Sequence, residues 1–362
     1  MEYMVVPYFL CMMDVDYLIA GGGLCGALLG RYLLLEGCSV LVIDDRNAAA
    51  AGRVAGGIVN PVTGKRLVRS WMTEVLLPFA LQAYRELEEE LHVALVQPCS
   101  LFDFFANREE QRIFEEKATG EKEYLTVAAD GGWGDYFRFN NGVGVIAPCL
   151  LVDLNGLLGA LGLWLHDSGC LLAERFDGKD CMVGDDGVVY RDIRAKKVIC
   201  CEGADGDENP YFKMLPWSKD KGEAMIAAIA GLPRGAVYKQ GISIAPWRDG
   251  LWWIGATHDW KYTDLLPTMA FRKRVEEQLD YWLKMPYTIV DHLVARRPAN
   301  LERRPFAGLH PRYPSIGILN GMGGKGASMA PYFAHQLAQH LVHEAAIMPE
   351  VDVLRFGRVL SR

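Results

Sequence analysis

No stretch of this 362-residue chain approaches the roughly 18 to 20 uncharged apolar residues needed to cross a bilayer, so a membrane-spanning role has no support. Positive charge is also short. The 38 Lys and Arg face 45 Asp and Glu, a formal charge of −7. Phosphate contacts need a concentrated basic surface, so general nucleic-acid binding is not expected. Nine cysteines are present, yet none forms a CxxC pair or a Cys/His grouping at metal-ligand spacing. That argues against a disulfide framework and a metal site, and makes a reducing cytoplasm the expected compartment. There is no serine nucleophile elbow, zinc motif or Walker loop. Internal repeats, low-complexity tracts and long Pro/Gly/Ser linkers are missing too, so domains should interleave along the chain. The opening MEYMVVPYFLCM is apolar but carries Glu2 in place of a basic region, and no small-residue cleavage site follows. It reads as an extension, with Met12 or Met13 as an alternative start.

What is there is apolar material for a sizeable core: 51% of residues are hydrophobic and 23% charged, at a length suited to about two domains. Residues 15–44 spell strand, glycine turn, helix and strand, one βαβ half-unit. Between the first strand and the helix, Gly21-Gly22-Gly23-Leu24-Cys25-Gly26 matches GxGxxG in the context that gives the motif weight. The first glycine makes the tight turn, and the second lets backbone approach a pyrophosphate. The third lets helix and strand pack closely, with the helix N-terminus facing the negative charge. Asp44 ends the second strand, where a carboxylate accepts hydrogen bonds from a ribose; Asp45 is its rival in register.

The spacing predicts helices over 79–95, 108–117 and 271–284, hairpin turns at 185–187 and 248–250, and an apolar strand at 196–201 closed by Glu202-Gly203-Ala204. The chain closes with a strand at 315–320, the glycine-rich loop 321–326 and a helix from about 328 to 346. Cys25, Cys200 and Cys201 read as small packed residues, and His335 and His343 as polar-face residues of the last helix. Trp252 and Trp253 should point to opposite sheet faces, so that at most one reaches a pocket. A nicotinamide dehydrogenase would continue its βα alternation, whereas this chain leaves the pattern after residue 45 and resumes it only at the end.

The N-terminal DYLIAGGGLCGALLGRYLLLEGCSVLVIDD, the loop RVAGGIVNP at 53–61, KVICCEGA at 197–204 and LWWIGATHD at 251–259 lead to a C-terminal pairing. There ARRPANLERRPFAGLHP at 295–311 precedes GILNGMGGKGASMAP at 317–331. In these segments the chain resembles the FAD-dependent D-amino-acid oxidase, glycine oxidase and sarcosine oxidase family over most of its length. The resemblance implies an α/β fold with a Rossmann-type FAD-binding domain of the glutathione-reductase kind. An interleaved second α+β domain would be built on an antiparallel sheet. The implied FAD-binding parts are 1–78, 148–215 and 296–362, and the substrate-binding parts are 79–147 and 216–295.

The same resemblance places FAD against Gly21, Gly23, Leu24, Gly26, Asp44, Asp45, Arg53, Gly56, Gly57, Gly203, Gly323, Gly324, Lys325 and Gly326. The loop after Arg53 has no Cys or His for covalent attachment, so the flavin should be non-covalent and dissociable. The 321–326 loop offers backbone donors and a helix N-terminus to the flavin edge where negative charge develops on reduction. Lys325 adds a charge there or is a solvated loop lysine. Arg297 matches the position implied to bind a substrate carboxylate, a task suited to a planar guanidinium; Arg296 is the adjacent rival, and Arg303 with Arg304 repeats the pattern. A structural salt bridge is the competing role for Arg297.

The implied reaction is oxidation of a small amine or amino-acid-like substrate by hydride transfer to flavin N5, with oxygen or another acceptor completing the cycle. ARRP replaces the family's usual glycine and apolar residue before Arg, and Gly323-Gly324-Lys325 stands where relatives carry an Arg or His, which leaves the substrate open. The alternatives are a tRNA-modifying oxidase, a 2-hydroxy-acid dehydrogenase and a non-catalytic flavin-binding redox sensor.

Overall fold

A computed structural model describes residues 12–129 and 131–361; the expected N-terminal extension falls on residues 1–11, outside the described ones. Strand β1 (Met13–Ala20), helix α1 (Leu24–Leu35) and strand β2 (Val40–Ile43) form the βαβ unit, with Leu18 opposite Leu41 in a parallel pair. Helices α2 (Ala51–Val54) and α3 (Thr73–Leu91) follow, then strand β3 (Val96–Phe104), helix α4 (Arg108–Gly120) and strand β4 (Val143–Val152). The helix expected over 79–95 starts earlier, at Thr73, and stops before His92. Apolar Val93 and Leu95 continue its spacing, but the Glu88 carboxylate accepts the backbone N–H groups of Leu95 and Val96 and turns the chain into β3.

Helix α5 (Leu154–Asp167) was not apparent from the sequence. Its three glycines, at 156, 159 and 162, lower helix propensity. Asp153 compensates by capping it, accepting from the Gly156 N–H at 2.9 Å. Strand β5 (Ile193–Cys200) is the expected apolar run and lies parallel to β1. Then come β6 (Trp217–Ile229), β7 (Ile242–Pro246), β8 (Trp252–Gly255), helix α6 (Met269–Trp282), β9 (Tyr287–Asn300), β10 (Ile316–Asn320) and helix α7 (Gly326–His343).

One sheet runs Cys181–Gly184, Gly187–Tyr190, β5, β1, β2, Leu171–Leu172, with β10 parallel to β5 along the rest of its edge. Alternation along β1 sends Ile19 into a core with α1, α3, α5 and α7, and Leu18 into a core with Phe212, Ile318 and Val353 on the other face. The second sheet runs β9, β6, β8, β7, Ala236–Gln240, β3, β4, Ile58–Val59 and is mainly antiparallel. Trp252 packs with α6, whereas Trp253 faces the opposite side and donates from Nε1 to the Val54 carbonyl at 2.9 Å.

Strands β6 and β9, long and paired along their whole length, were the least legible elements because β6 carries Asp220, Lys221 and Glu223. All three are buried, and each is partnered: Lys221 Nζ donates to the Leu266 carbonyl at 2.6 Å, and Glu223 accepts from Thr268 and His292. Charges satisfied in this way can occupy a strand interior that a polar pattern would assign to a loop. Pro298 is accommodated because β9 is an edge strand.

Gly57 joins α2 to the second sheet at φ +66, and a Cβ there would lie 1.9 Å from the Val152 carbonyl oxygen. Gly57→Ala should therefore cost about 2 kcal/mol of unfolding free energy. A urea titration with an unchanged midpoint would show that this junction tolerates the side chain.

Candidate functional site

The glycine turn divides its three tasks as the motif requires. Gly21 adopts φ +94, donates to the Ile43 carbonyl at 2.8 Å, and leaves only 2.6 Å between a hypothetical Cβ and the Cys201 carbonyl oxygen. Gly26 is equally confined, since its Cβ would sit 1.9 Å from the Gly21 oxygen. Gly23 differs: nothing lies within 4 Å of its Cβ position, so the N-terminus of α1 faces open space. Asp44 reaches this turn and accepts N–H groups from Gly22 and Arg46, while burial pushes its carboxyl above the usual range. Asp45 is exposed and accepts from the Asn47 N–H at 3.1 Å, so Asp44 is the carboxylate at the turn.

The C-terminal loop comes to the same place. A Cβ on Gly326 would be 3.6 Å from Leu24 Cδ2, and Asn320 Nδ2 donates to the Gly203 carbonyl at 2.9 Å. Lys325 is half-buried; its Nζ donates to Asn60 Oδ1 at 3.1 Å and Ser70 Oγ at 3.2 Å. Desolvation pulls its ammonium down to about 8. Glu202 lies two residues past the end of β5, and burial raises its carboxyl to about 7 against a hydrogen bond donated by Asn209 Nδ2 at 2.6 Å.

Both glycine loops open on one cavity of about 1120 Å³. Its wall takes in Gly21, Gly23, Leu24, Asp44, Asp45, Arg53, Gly56, Gly57, Gly203, Gly323, Gly324, Lys325, Gly326 and Arg297. Gly26 is set back from the wall, as its packing role dictates.

The second sheet supplies more of the wall with Gly222, Ser243, Gly255 and Arg297, and the loop after β8 adds His258. Arg297 is not an unengaged cation. Nη1 lies 3.0 Å from Asp220 Oδ2 and Nη2 donates to the Thr257 carbonyl at 2.9 Å. Its guanidinium crosses over Gly222, where a Cβ would come within 2.2 Å of Nη2. Arg296 turns instead to Asp205 and Asp207. Asp220, His258, Asn60 and Ser70 were not singled out in the sequence. Asp220 is lost in the charged run Ser218–Glu223, and a histidine outside metal spacing carries no signal of its own.

The sequence model of the family described as FAD dependent oxidoreductase (DAO) matches residues 16–340. The chain belongs to this family. This FAD-dependent oxidoreductase is 24% identical, over 95% of its length, to the tRNA 5-methylaminomethyl-2-thiouridine biosynthesis bifunctional protein of Caulobacter sp. strain K31, and spans 57% of that relative. Among solved structures it is similar to glycine oxidase from Bacillus cereus ATCC 14579 (TM-score 0.80, 17% identity, 96% of this chain and 99% of that one). Iminodiacetate oxidase from Chelativorans sp. BNC1 follows at TM-score 0.76 and 21% identity, covering 95% and 98%. The fold is thus the Rossmann-type flavoprotein fold of the family, with FAD as its cofactor. The residues present fit that group: an unfilled Gly23 at a helix N-terminus for a pyrophosphate, a carboxylate at the strand end, and a second open glycine loop beside them.

Two outcomes follow for the FAD-dependent oxidoreductase. Gly23→Ala should leave the thermal midpoint of the FAD-free protein unchanged and weaken FAD binding by about tenfold or more, whereas Gly26→Ala should lower the midpoint itself. Fluorescence titration with FAD beside thermal denaturation separates the two, and equal behaviour of the variants would remove the division of tasks. For Lys325, the folded value near 8 lies below the ordinary lysine value, so between them the unfolded chain binds more protons and stability rises with pH. The FAD-free wild type should gain stability relative to Lys325→Met between about pH 8 and about pH 10; parallel melting curves across that window would contradict a buried ammonium.

Proposed function

We propose that this FAD-dependent oxidoreductase oxidises a small amine or amino-acid-like substrate in the part of the cavity walled by the second sheet. The observation that carries the reading is the continuity of one cavity from the glycine turn, past the 321–326 loop, to Gly222, Ser243, Gly255 and Arg297. Its volume of about 1120 Å³ exceeds the roughly 300–1,000 Å³ of single-ligand pockets, which suits a dinucleotide together with a small partner. The names of the structural neighbours support the substrate class: glycine oxidase, iminodiacetate oxidase and L-proline dehydrogenase all act on amino-acid-like amines.

Bound FAD supplies the two-electron acceptor. The chain's own residues bind, orient and balance charge. Arg297 Nε has no hydrogen-bond partner among the described residues, so one edge of the guanidinium remains for an acid group even with Asp220 and Thr257 engaged. Lys325, its ammonium pulled down to about 8 by desolvation, places an amine at the C-terminal loop, where developing negative charge would be stabilised. The reading divides the chain into a nucleotide unit on the first sheet and a substrate unit on the second. The cuts expected at 147/148 and 295/296 fall inside β4 and β9, so the divisions are better set at the strand ends, near 152 and 300.

The relative named for tRNA modification supports a second reading, a polynucleotide substrate. Against it stand the net charge of −7 and the carboxylates of Glu174, Asp177, Asp205, Glu208 and Asp264 along the cavity wall, which repel a polyanion.

Anaerobic mixing of the FAD-loaded protein with glycine, iminodiacetate and L-proline, alongside glycolate and lactate, tests the proposal. Loss of the flavin's visible absorbance with at least one amine is expected, and readmitted air or an added dye identifies the acceptor class. Arg297→Met should raise the amino-acid concentration for half-maximal reduction by about tenfold or more. Bleaching by hydroxy acids alone, or by nothing, would overturn the amine assignment.

A further inference from the structure

We propose that His258 is the proton acceptor that converts the bound substrate's ammonium group into a neutral amine, with Asp220 fixing its tautomer. The proposal rests on the amine-oxidising reading above and names a residue that the family likeness did not point to.

The ring is placed by contacts from two strands. His258 Nδ1 lies 2.9 Å from Asp220 Oδ2 on β6, and Asp220 is 4% exposed. Arg297 Nη1, from the cross-strand partner position on β9, lies 3.0 Å from the same oxygen and 3.2 Å from Nδ1. Two assignments of the ring proton are possible on paper. If Nδ1 accepted from Arg297, its lone pair would face a carboxylate oxygen at hydrogen-bond distance, a repulsive contact in a buried setting. Nδ1–H donating to Asp220 removes that conflict, and Arg297 then shares the carboxylate. The neutral imidazole must therefore carry its free lone pair on Nε2.

Nε2 has no hydrogen-bond partner among the described residues, the side chain is 54% exposed, and His258 lines the cavity. The ring is kept in place by Trp260, stacked at 5.7 Å and 14°. Asp220 Oδ1 is buried without a partner, so the carboxylate retains unused acceptor capacity next to the imidazole. The charged and titratable groups around the ring are Asp220, Arg297 and, on its own loop, Tyr262, which lies close enough to Asp220 to feel its charge.

Small amines and amino acids are ammonium ions at neutral pH, and the nitrogen lone pair has to be free before the adjacent carbon is oxidised towards an imine. In the proposed step one substrate N–H bond breaks, its electron pair stays on nitrogen, and the proton moves to His258 Nε2. The resulting imidazolium is held by Asp220, and its half-exposed edge returns the proton to water. No oxidant enters this step.

The test compares wild type with His258→Gln, a substitution at a half-exposed ring, and with Asp220→Asn. Anaerobic reduction of the FAD-loaded proteins by glycine, iminodiacetate and L-proline is followed across pH. His258→Gln should slow reduction by roughly 100-fold at neutral pH, and the defect should fade at alkaline pH, where the amine arrives already neutral. Nitrogen NMR of the labelled ring should show Nδ1–H with an unprotonated Nε2 in wild type, and loss of that tautomer preference in Asp220→Asn if that variant folds. A His258→Gln protein reduced at the wild-type rate, a defect independent of pH, or a ring proton on Nε2 overturns the proposal while leaving the amine reading intact. Wild type that no amine reduces overturns both.

Discussion

The constraint on which the rest depends is the contact between the Gly21 backbone and the Cys201 carbonyl, where even a methyl group would approach to 2.6 Å. This contact lets β1 and β5 end at the same level, Ala20 opposite Cys200, so that the N-terminus of α1 emerges above the sheet. Gly26 then stacks on the Gly21 oxygen, which brings α1 flat against the strands. From this seat α1 packs along α7, whose first turn Tyr84 anchors by donating to the Ala327 carbonyl at 2.7 Å. The two glycine loops are neighbours because two helices of one core are neighbours. Arg31 adds a buried ion pair to Glu90, at 2.6 Å from Nε, between α1 and α3.

The second sheet solves a different problem, the burial of charge. Asp220, Lys221 and Glu223 fall within four places of β6, broken only by Gly222, and would be costly in a strand interior without partners. Each finds one on β9 or on the segment 257–268: Arg297 and His258 for Asp220, Leu266 and Asp264 for Lys221, Thr268 and His292 for Glu223. The segment that borders the cavity is thereby tied to the sheet by polar contacts, and the same contacts set the orientation of the groups that face the ligand. A carboxylate used to position a cation and an imidazole at once is a polar network of high consequence, since removing Asp220 or Arg297 leaves the other without its counter-ion.

The nucleotide half was legible because its signals are local. GxGxxG between an apolar strand and a helix, and a carboxylate at the end of the next strand, are readable within thirty residues or so, and Gly26 could be assigned its packing role without coordinates. Choosing Asp44 over Asp45 required the structure, since the two differ by one place in register and only one faces Gly22. Arg297 was found through its Arg-Pro setting, but its attachment to Asp220 was hidden, because the two lie 77 residues apart and meet only through the β6/β9 register. Helix α5 was hidden for a local reason, its glycines, and β6 for a non-local one, its satisfied charges.

What the sequence determined alone was the type of backbone each segment could adopt: where a chain without Cβ must turn, which runs alternate into a sheet, which ligand end an exposed helix N-terminus would welcome. Short-range sterics and periodicity decide those things. Which side chains converge was decided by tertiary structure, through strand register and helix packing. That is why His258, unremarkable in its own stretch of chain, acquires a partner and a place on the cavity wall once β6 and β9 lie side by side.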